Sequence, residues 1–221
     1  MIRDGEDKEV NFDEVLGASF REVVSGERDG SRTHIVRASR SYPTTPADLW
    51  SALTDNERVR RWFAKVTGEF EQGGRFSIEG NADGEILACE PPRLLVLTWE
   101  FGGNTSWVKV TIEKSDEGAL LTLEHEHPTD HESQAHWDQY GPGATGVGWE
   151  LALLGLDMHV TGDGASTIEA GEAWAESAKG KATLREWAEA WGEAHAESGT
   201  DAQIAMETAE RTAAFYAGEE K

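Results

Sequence analysis

Gly141-Pro-Gly-Ala-Thr-Gly-Val-Gly-Trp-Glu-Leu-Ala-Leu-Leu-Gly-Leu-Asp-Met-His-Val160 is the stretch on which the reading of this chain turns. Its Gly/Pro opening is a turn, and the residues after that turn have the period of a helix. Val147, Leu151, Leu154 and Met158 recur at i, i+4, i+7 and i+11, while Trp149, Leu153, Leu156 and Val160 form a second apolar flank. Only Glu150, Asp157 and Thr161 share a polar stripe. A helix apolar around most of its girth is covered on more than one side, so a sheet against one flank and further helices against another are expected. Gly148, Ala152 and Gly155 add a row of small residues, and glycine costs about 1 kcal/mol relative to alanine inside a helix, which points to a close neighbour there. Either this is a plain core helix or it closes a cavity, and the flanking sequence has to decide.

Upstream the period changes to two. Strand-like runs at 65–70, 73–79, 84–90, 93–101, 106–114 and 119–127 are separated by turn residues, with Gly102-Gly-Asn104 and Ser115-Asp-Glu-Gly118 as hairpin turns. Six consecutive strands on short turns make an antiparallel meander, which needs a cover on one face; the 146–160 helix is the candidate. Before the meander, Arg32–Tyr42 reads as a further strand, stopped by Pro43. Thr45 as N-cap with Pro46 at the first helical position starts one helix, and Asp55 caps a second, short one leading to Trp62-Phe63. The apolar spacing within Asn11–Val24 predicts a weak amphipathic helix, with a loop over Ser25–Gly30. Residues 128–140 read as a polar loop or broken helix.

Beyond residue 163 the composition shifts to alanine and glutamate. Ser166 to Glu169 has capping-box spacing, Leu184, Trp187, Ala188 and Trp191 make a helical stripe, Gly199 ends that helix, and Asp201 caps the next. The organisation expected is an N-terminal extension (1–31), one α+β domain (32–163), and a helical C-terminal extension (164–221). That extension is expected to lie against the flank around Trp149, Leu153 and Leu156.

The chain has 221 residues and a formal charge of −22, spread along its length. Phosphate binding needs basic clusters, so nucleic acid and an anionic membrane are excluded as partners. Arg58, Arg60 and Arg61, the only dense basic group, are expected to complement the C-terminus of a short helix. With no apolar run of membrane-spanning length, no signal-peptide pattern and a single cysteine, Cys89, the chain is expected in the cytoplasm.

Pro46-Ala-Asp-Leu-Trp50, Leu53-Thr-Asp55, Trp62-Phe63, Gly73-Gly-Arg-Phe76, Gly84-Glu-Ile86, Cys89-Glu-Pro-Pro-Arg-Leu94, Thr98-Trp-Glu100 and Leu121-Thr-Leu-Glu-His125 together resemble the activator-of-heat-shock-protein-90-ATPase homologue family. That family belongs to the START-like (SRPBCC, polyketide cyclase/dehydrase) superfamily. The resemblance spans roughly residues 32–162, and the Gly141–Glu150 motif with the helical tail looks like a bacterial subgroup of single-domain members. It implies a helix-grip START-like fold: a curved antiparallel sheet wrapped on a long C-terminal helix, here with an added α-helical extension. It also implies a small hydrophobic molecule held between sheet and helix, since many members of the superfamily bind one and some are cyclases, dehydratases or hydrolases. The separate N-terminal domain through which the eukaryotic co-chaperones of the family bind the chaperone is matched by no stretch here, so the family name is not itself an activity.

Alternation puts Leu121, Leu123, His125 and His127 on the strand face that looks at the helix, and Glu124 on the other. His-x-His with His131 and His136 nearby invites a metal reading, but histidines at a strand end are more often hydrogen-bonded pocket residues, and no metal site is expected. Glu100 alternates away from Leu95, Leu97 and Trp99, onto the solvated face. The candidate ligand-binding residues are Trp62, Phe63, Trp99, His125, His127, Tyr140, Trp149, Leu151, Leu154 and Met158, an aromatic lining with few polar groups. No nucleophile triad, phosphate loop or dinucleotide fingerprint is present in convincing form, and no cofactor is expected. Three functions fit these residues. The first is binding of a small hydrophobic or aromatic ligand. The second is an enzyme of the cyclase, dehydratase or hydrolase kind using His125 with a carboxylate. The third is a co-chaperone-like protein whose acidic tail meets a chaperone or a second copy of itself.

Overall fold

The computed structural model describes residues 19–162 and 167–219. Among them the chain forms eight strands: β1 (Phe20–Arg28), β2 (Ser31–Tyr42), β3 (Val66–Gly68), β4 (Arg75–Ile78), β5 (Asp83–Glu90), β6 (Leu94–Phe101), β7 (Asn104–Ser115) and β8 (Gly118–Pro128). Two helices, α1 (Pro46–Thr54) and α2 (Asn56–Val59), sit between β2 and β3. Five follow β8: α3 (His131–Tyr140), α4 (Gly143–Thr161), α5 (Ile168–Glu176), α6 (Ala178–Glu197) and α7 (Ala202–Ala217). The strands make one antiparallel sheet in the order β1-β2-β8-β7-β6-β5-β4-β3. The meander from β3 to β8 is thus continuous, and β2 crosses over to close it against β8. The sheet curves around α4 in the helix-grip arrangement.

The start of the chain differs from its reading. Residues 11–18 lie outside the described segment, but Phe20–Arg28 is a strand, not the end of a helix. Asp29 and Gly30 both take positive φ (52° and 78°), and Arg28 pairs directly with Ser31. That is a two-residue hairpin turn of the kind Asp-Gly favours, because its backbone twist matches that of the flanking strands. A turn signal read only as a loop therefore also set a strand pair. Along β1, Val23 faces inward opposite Val36, while Glu22 pairs with Arg37 on the outer face.

Caps fix the helices as expected. Thr45 accepts from the Asp48 amide at 3.2 Å, Asp55 from that of Glu57 at 2.8 Å, and Asp201 from those of Gln203 and Ile204. Arg58, in the last turn of α2, reaches back to the carboxylate and carbonyl of Asp48 in α1. The segment before α4 is an unbroken helix, α3, capped by Asp130 and ended by Gly141 at φ 59°. The Ser166 capping box lies outside the described residues.

α4 is buried over most of its length. Two members of its polar stripe, Glu150 and Asp157, are buried, and only Thr161 at its end is exposed. Glu150, 2 % exposed, takes two hydrogen bonds from Arg21 of β1 at 2.6 and 2.7 Å and a third from the Trp191 indole of α6 at 2.7 Å. Two turns further on, Asp157 pairs with the buried Arg40 of β2 at 2.6 Å. A carboxylate taken out of water needs such donors, because its desolvation costs several kcal/mol. The glycines of α4 also have an observable cause. A side chain on Gly146 would collide with the Trp191 ring, and one on Gly155 would come within 2.7 Å of the Trp62 carbonyl oxygen. Trp191 itself is fully buried, so the C-terminal helices share the core of the sheet domain.

Candidate functional site

Along the inner face of the sheet, side-chain character changes at one level. Leu95 and Leu97 of β6, Val110 and Val108 of β7, and Leu121 and Leu123 of β8 form apolar rows. The next positions towards the β6–β7 hairpin are Trp99, opposite Ser106, then His125, and His127 opposite His34. Alternation in each strand delivers these residues to the same face.

Below that level lies an apolar cavity of about 100 Å³. Leu97, Val110 and Leu123 floor it, Trp149 and Leu153 of α4 roof it, and Trp62 and Phe63 close its side. The Trp62 indole is anchored by a 3.0 Å bond to the Ala52 carbonyl of α1. The aromatic rings form a chain: Trp62 to Phe63 at 5.5 Å between centroids, Phe63 to Trp149 at 6.3 Å, and Trp149 edge-on to Trp99 at 5.2 Å. Such edge and offset contacts are the favoured geometries for aromatic pairs.

Above it lies a cleft of about 720 Å³ between the sheet, the start of α4, α3 and the end of α7. Trp99 lines both spaces. His34 of β2 stacks flat on Trp137 of α3, with centroids 4.1 Å apart and planes at 8°. His125 and His127 stack on each other at 4.1 Å, and His127 Nε2 lies 3.2 Å from the Thr145 hydroxyl. No lysine, arginine, aspartate or glutamate lines the cleft among the described residues.

The protonation of His125 follows from its partners. The Trp149 indole N–H, which can only donate, points at Nδ1 from 3.0 Å, so Nδ1 carries the lone pair. The proton is then on Nε2, which donates to the Ser106 hydroxyl at 2.8 Å, and Ser106 in turn donates a hydrogen bond to the Trp99 carbonyl at 3.3 Å. Both nitrogens are occupied, and the ring is a donor towards Ser106. Burial holds His125 well below the ordinary histidine pKa, and neighbouring His127 adds to this. Burial, with repulsion from His136 and His34, lowers His127 to about 4. His34 and His136 are lowered by burial as well. The cleft is therefore neutral at physiological pH.

The expected ligand residues do not all converge. Trp62, Phe63, Trp99 and Trp149 surround the apolar cavity, and His125 and His127 line the cleft. Leu151, Leu154 and Met158 instead face a separate space of about 260 Å³ between α4 and α5. Tyr140 lines neither space itself but packs on Phe215 of α7 and His136 of α3, which line the cleft. The inner face of α4 is the Trp149–Leu153 flank, the one expected to carry the tail. Glu100 is on the outer face in an ion pair with Arg75 at 2.8 Å, as alternation predicts, and no carboxylate stands beside His125 in the cleft lining. No group of three or more metal-ligating side chains occurs among the described residues. Ser106, His34, Trp137 and Thr145 were not singled out by the sequence. Ser106 shares the inward parity of Val108 and Val110, and His34 that of Val36 and Ala38, so strand alternation held both.

A curved antiparallel sheet gripping a long helix, with an aromatic hollow between them, places this chain among the START-like α+β proteins. Residues 43–161, over half of the chain, match the family described as "Activator of Hsp90 ATPase homolog 1-like protein", and the chain belongs to that family. It is similar to CalU16 from Micromonospora echinospora in two structures. The crystal structure shares 31 % identity over 80 % of this chain and 98 % of that one (TM-score 0.61), and the solution structure 32 % over 82 % and 97 % (TM-score 0.65). That coverage exceeds what residues 1–162 can supply, so the likeness extends into the C-terminal helices. EF2215 from Enterococcus faecalis shares the fold at 16 % identity, over 83 % of this chain and 95 % of that one (TM-score 0.55). No curated protein matches the chain. No helix among the described residues is long and apolar enough to cross a membrane.

Proposed function

We propose that this protein binds a small apolar or aromatic molecule between its curved sheet and α4. The observation that carries the reading is Trp99, which lines both the apolar cavity and the larger cleft, so a guest in either lies against the same ring. The cavity alone has the scale of those that take a single aromatic ring, and the cleft falls in the range of ordinary small-molecule sites. Membership of a START-like family supports the same reading. General-base chemistry at His125 finds no support, because its Nδ1 lone pair is taken by Trp149 and its Nε2 proton is committed to Ser106.

The test is a thermal-shift and calorimetry panel of uncharged mono- and bicyclic aromatics against the protein and Val110→Phe, which fills the cavity floor. Upward shifts in the parent, weakened at least about tenfold in a variant that remains folded by circular dichroism, are expected. A panel with no binder at all would sink the reading.

A further inference from the structure

More than a quarter of the residues in this chain are charged, yet none of them lines the cleft among the described residues. Building on the small-molecule reading above, we propose that the guest is a flat, uncharged aromatic molecule with a hydroxyl or carbonyl oxygen on one edge, seated against His127 and Thr145, and that the carboxylate analogue is refused.

The polar inventory of the cleft points this way. His125 and Ser106 are consumed by their chain of bonds to Trp149 and Trp99. Gln134 donates its amide N–H to Asp138 at 2.7 Å, so its oxygen is turned to His34 Nε2 at 3.3 Å, and that nitrogen is engaged too. Asn81, Asn104, Thr105, Ser133 and His136 also line the cleft, from the β4–β5 turn, the β6–β7 hairpin and α3. Next to His125, at the start of α4, the polar groups are the His127–Thr145 pair, a neutral imidazole and a hydroxyl bonded to each other, each able to donate and accept. A phenol or aryl ketone matches such groups. A carboxylate brings only acceptors, and losing its hydration without a cationic partner is far more costly than the same loss for a hydroxyl. The first turn of α4, at Ala144 and Thr145, adds donor character that suits any oxygen atom, charged or neutral, so the refusal of a carboxylate rests on the lack of a cation in the lining. A full negative charge there would meet no cation in the lining and a chain of net charge −22. The walls are flat: the Trp99 indole on one side and the stacked His34–Trp137 pair on another.

The probes are 2-methylnaphthalene, 2-naphthol and 2-naphthoate, titrated calorimetrically at neutral pH into the parent protein and into His127→Phe, which keeps an aromatic ring beside His125. In the parent, 2-naphthol is expected to bind several-fold tighter than 2-methylnaphthalene and at least about tenfold tighter than 2-naphthoate. In His127→Phe the preference for 2-naphthol over 2-methylnaphthalene should fall to about one. Equal or tighter binding of 2-naphthoate overturns the inference, and so does a hydroxyl preference that survives in His127→Phe. If 2-methylnaphthalene and 2-naphthol bind equally to the parent, this inference falls while the ligand-binding reading stands; if no probe binds, both fall. Should His127→Phe not fold, the three parent affinities decide alone.

Discussion

At the scale of single residues, the molecule depends on polar side chains placed where apolar ones would be expected. Glu150 is the clearest case. It lies on a largely apolar helix, and its three donors come from β1, which precedes that helix by more than a hundred residues, and α6, which follows it. Burial pushes its carboxyl pKa up against the pull of Arg21, so its ionised form depends on those partners. Glu150→Ala, which leaves Arg21 and the Trp191 N–H without their acceptor, is expected to cost about 3–5 kcal/mol in urea unfolding. Glu150→Gln keeps an acceptor for the indole and should cost less. Equal losses in the two variants would show that the carboxylate charge facing Arg21, not side-chain volume or the acceptor for the indole, matters at this position. The sequence marked Glu150 as polar but could not show where its partners were, since Arg21 stands 129 positions away.

At the scale of elements, strands were easier to read than helix faces. The period-two alternation of β8 puts His125 inward by arithmetic, and the caps at Thr45 and Asp55 announce their helices in the side chains themselves. β1 escapes the pattern because an edge strand with a single buried residue, Val23, shows weak alternation, and Phe20 is mostly exposed. For α4 the apolar residues run nearly all the way round, so the pattern predicts burial without saying which neighbour covers which flank. That is why the pattern sets Leu151, Leu154 and Met158 beside Trp149 at the cavity, where Leu153 stands instead. The contact that settles the arrangement is Trp191 lying over Gly146. Trp191→Ala should therefore destabilise the whole molecule by about 3–5 kcal/mol, read by urea denaturation. A loss under about 1 kcal/mol would mean that α6 contributes little to holding α4 in place.

For the whole molecule, the relevant fact is how its histidines are distributed. His34, His125, His127, His136 and His195 cluster around α3 and the cleft, and all are held below their ordinary pKa, chiefly by burial. The unfolded chain takes up protons on these rings near pH 6.5, whereas the folded one resists, His127 down to about 4. Stability is therefore full above about pH 6.5 and is lost as the pH falls from there towards 4. Glu150 and Asp157, whose carboxyls are raised by burial, work in the opposite direction and offset part of the loss. A urea midpoint that declines between about pH 7.5 and 5, with a shallower decline in His127→Phe, is expected. A flat profile in the parent would contradict it.

Trp99 stands in the wall shared by the two hollows. Its indole edge meets Trp149 on one side and His125 on the other, so a visitor in either chamber would alter the same chromophore. The protein thus has a built-in optical gauge of occupancy. Because both chambers write to it, emission from this ring would count visitors without telling which room they took.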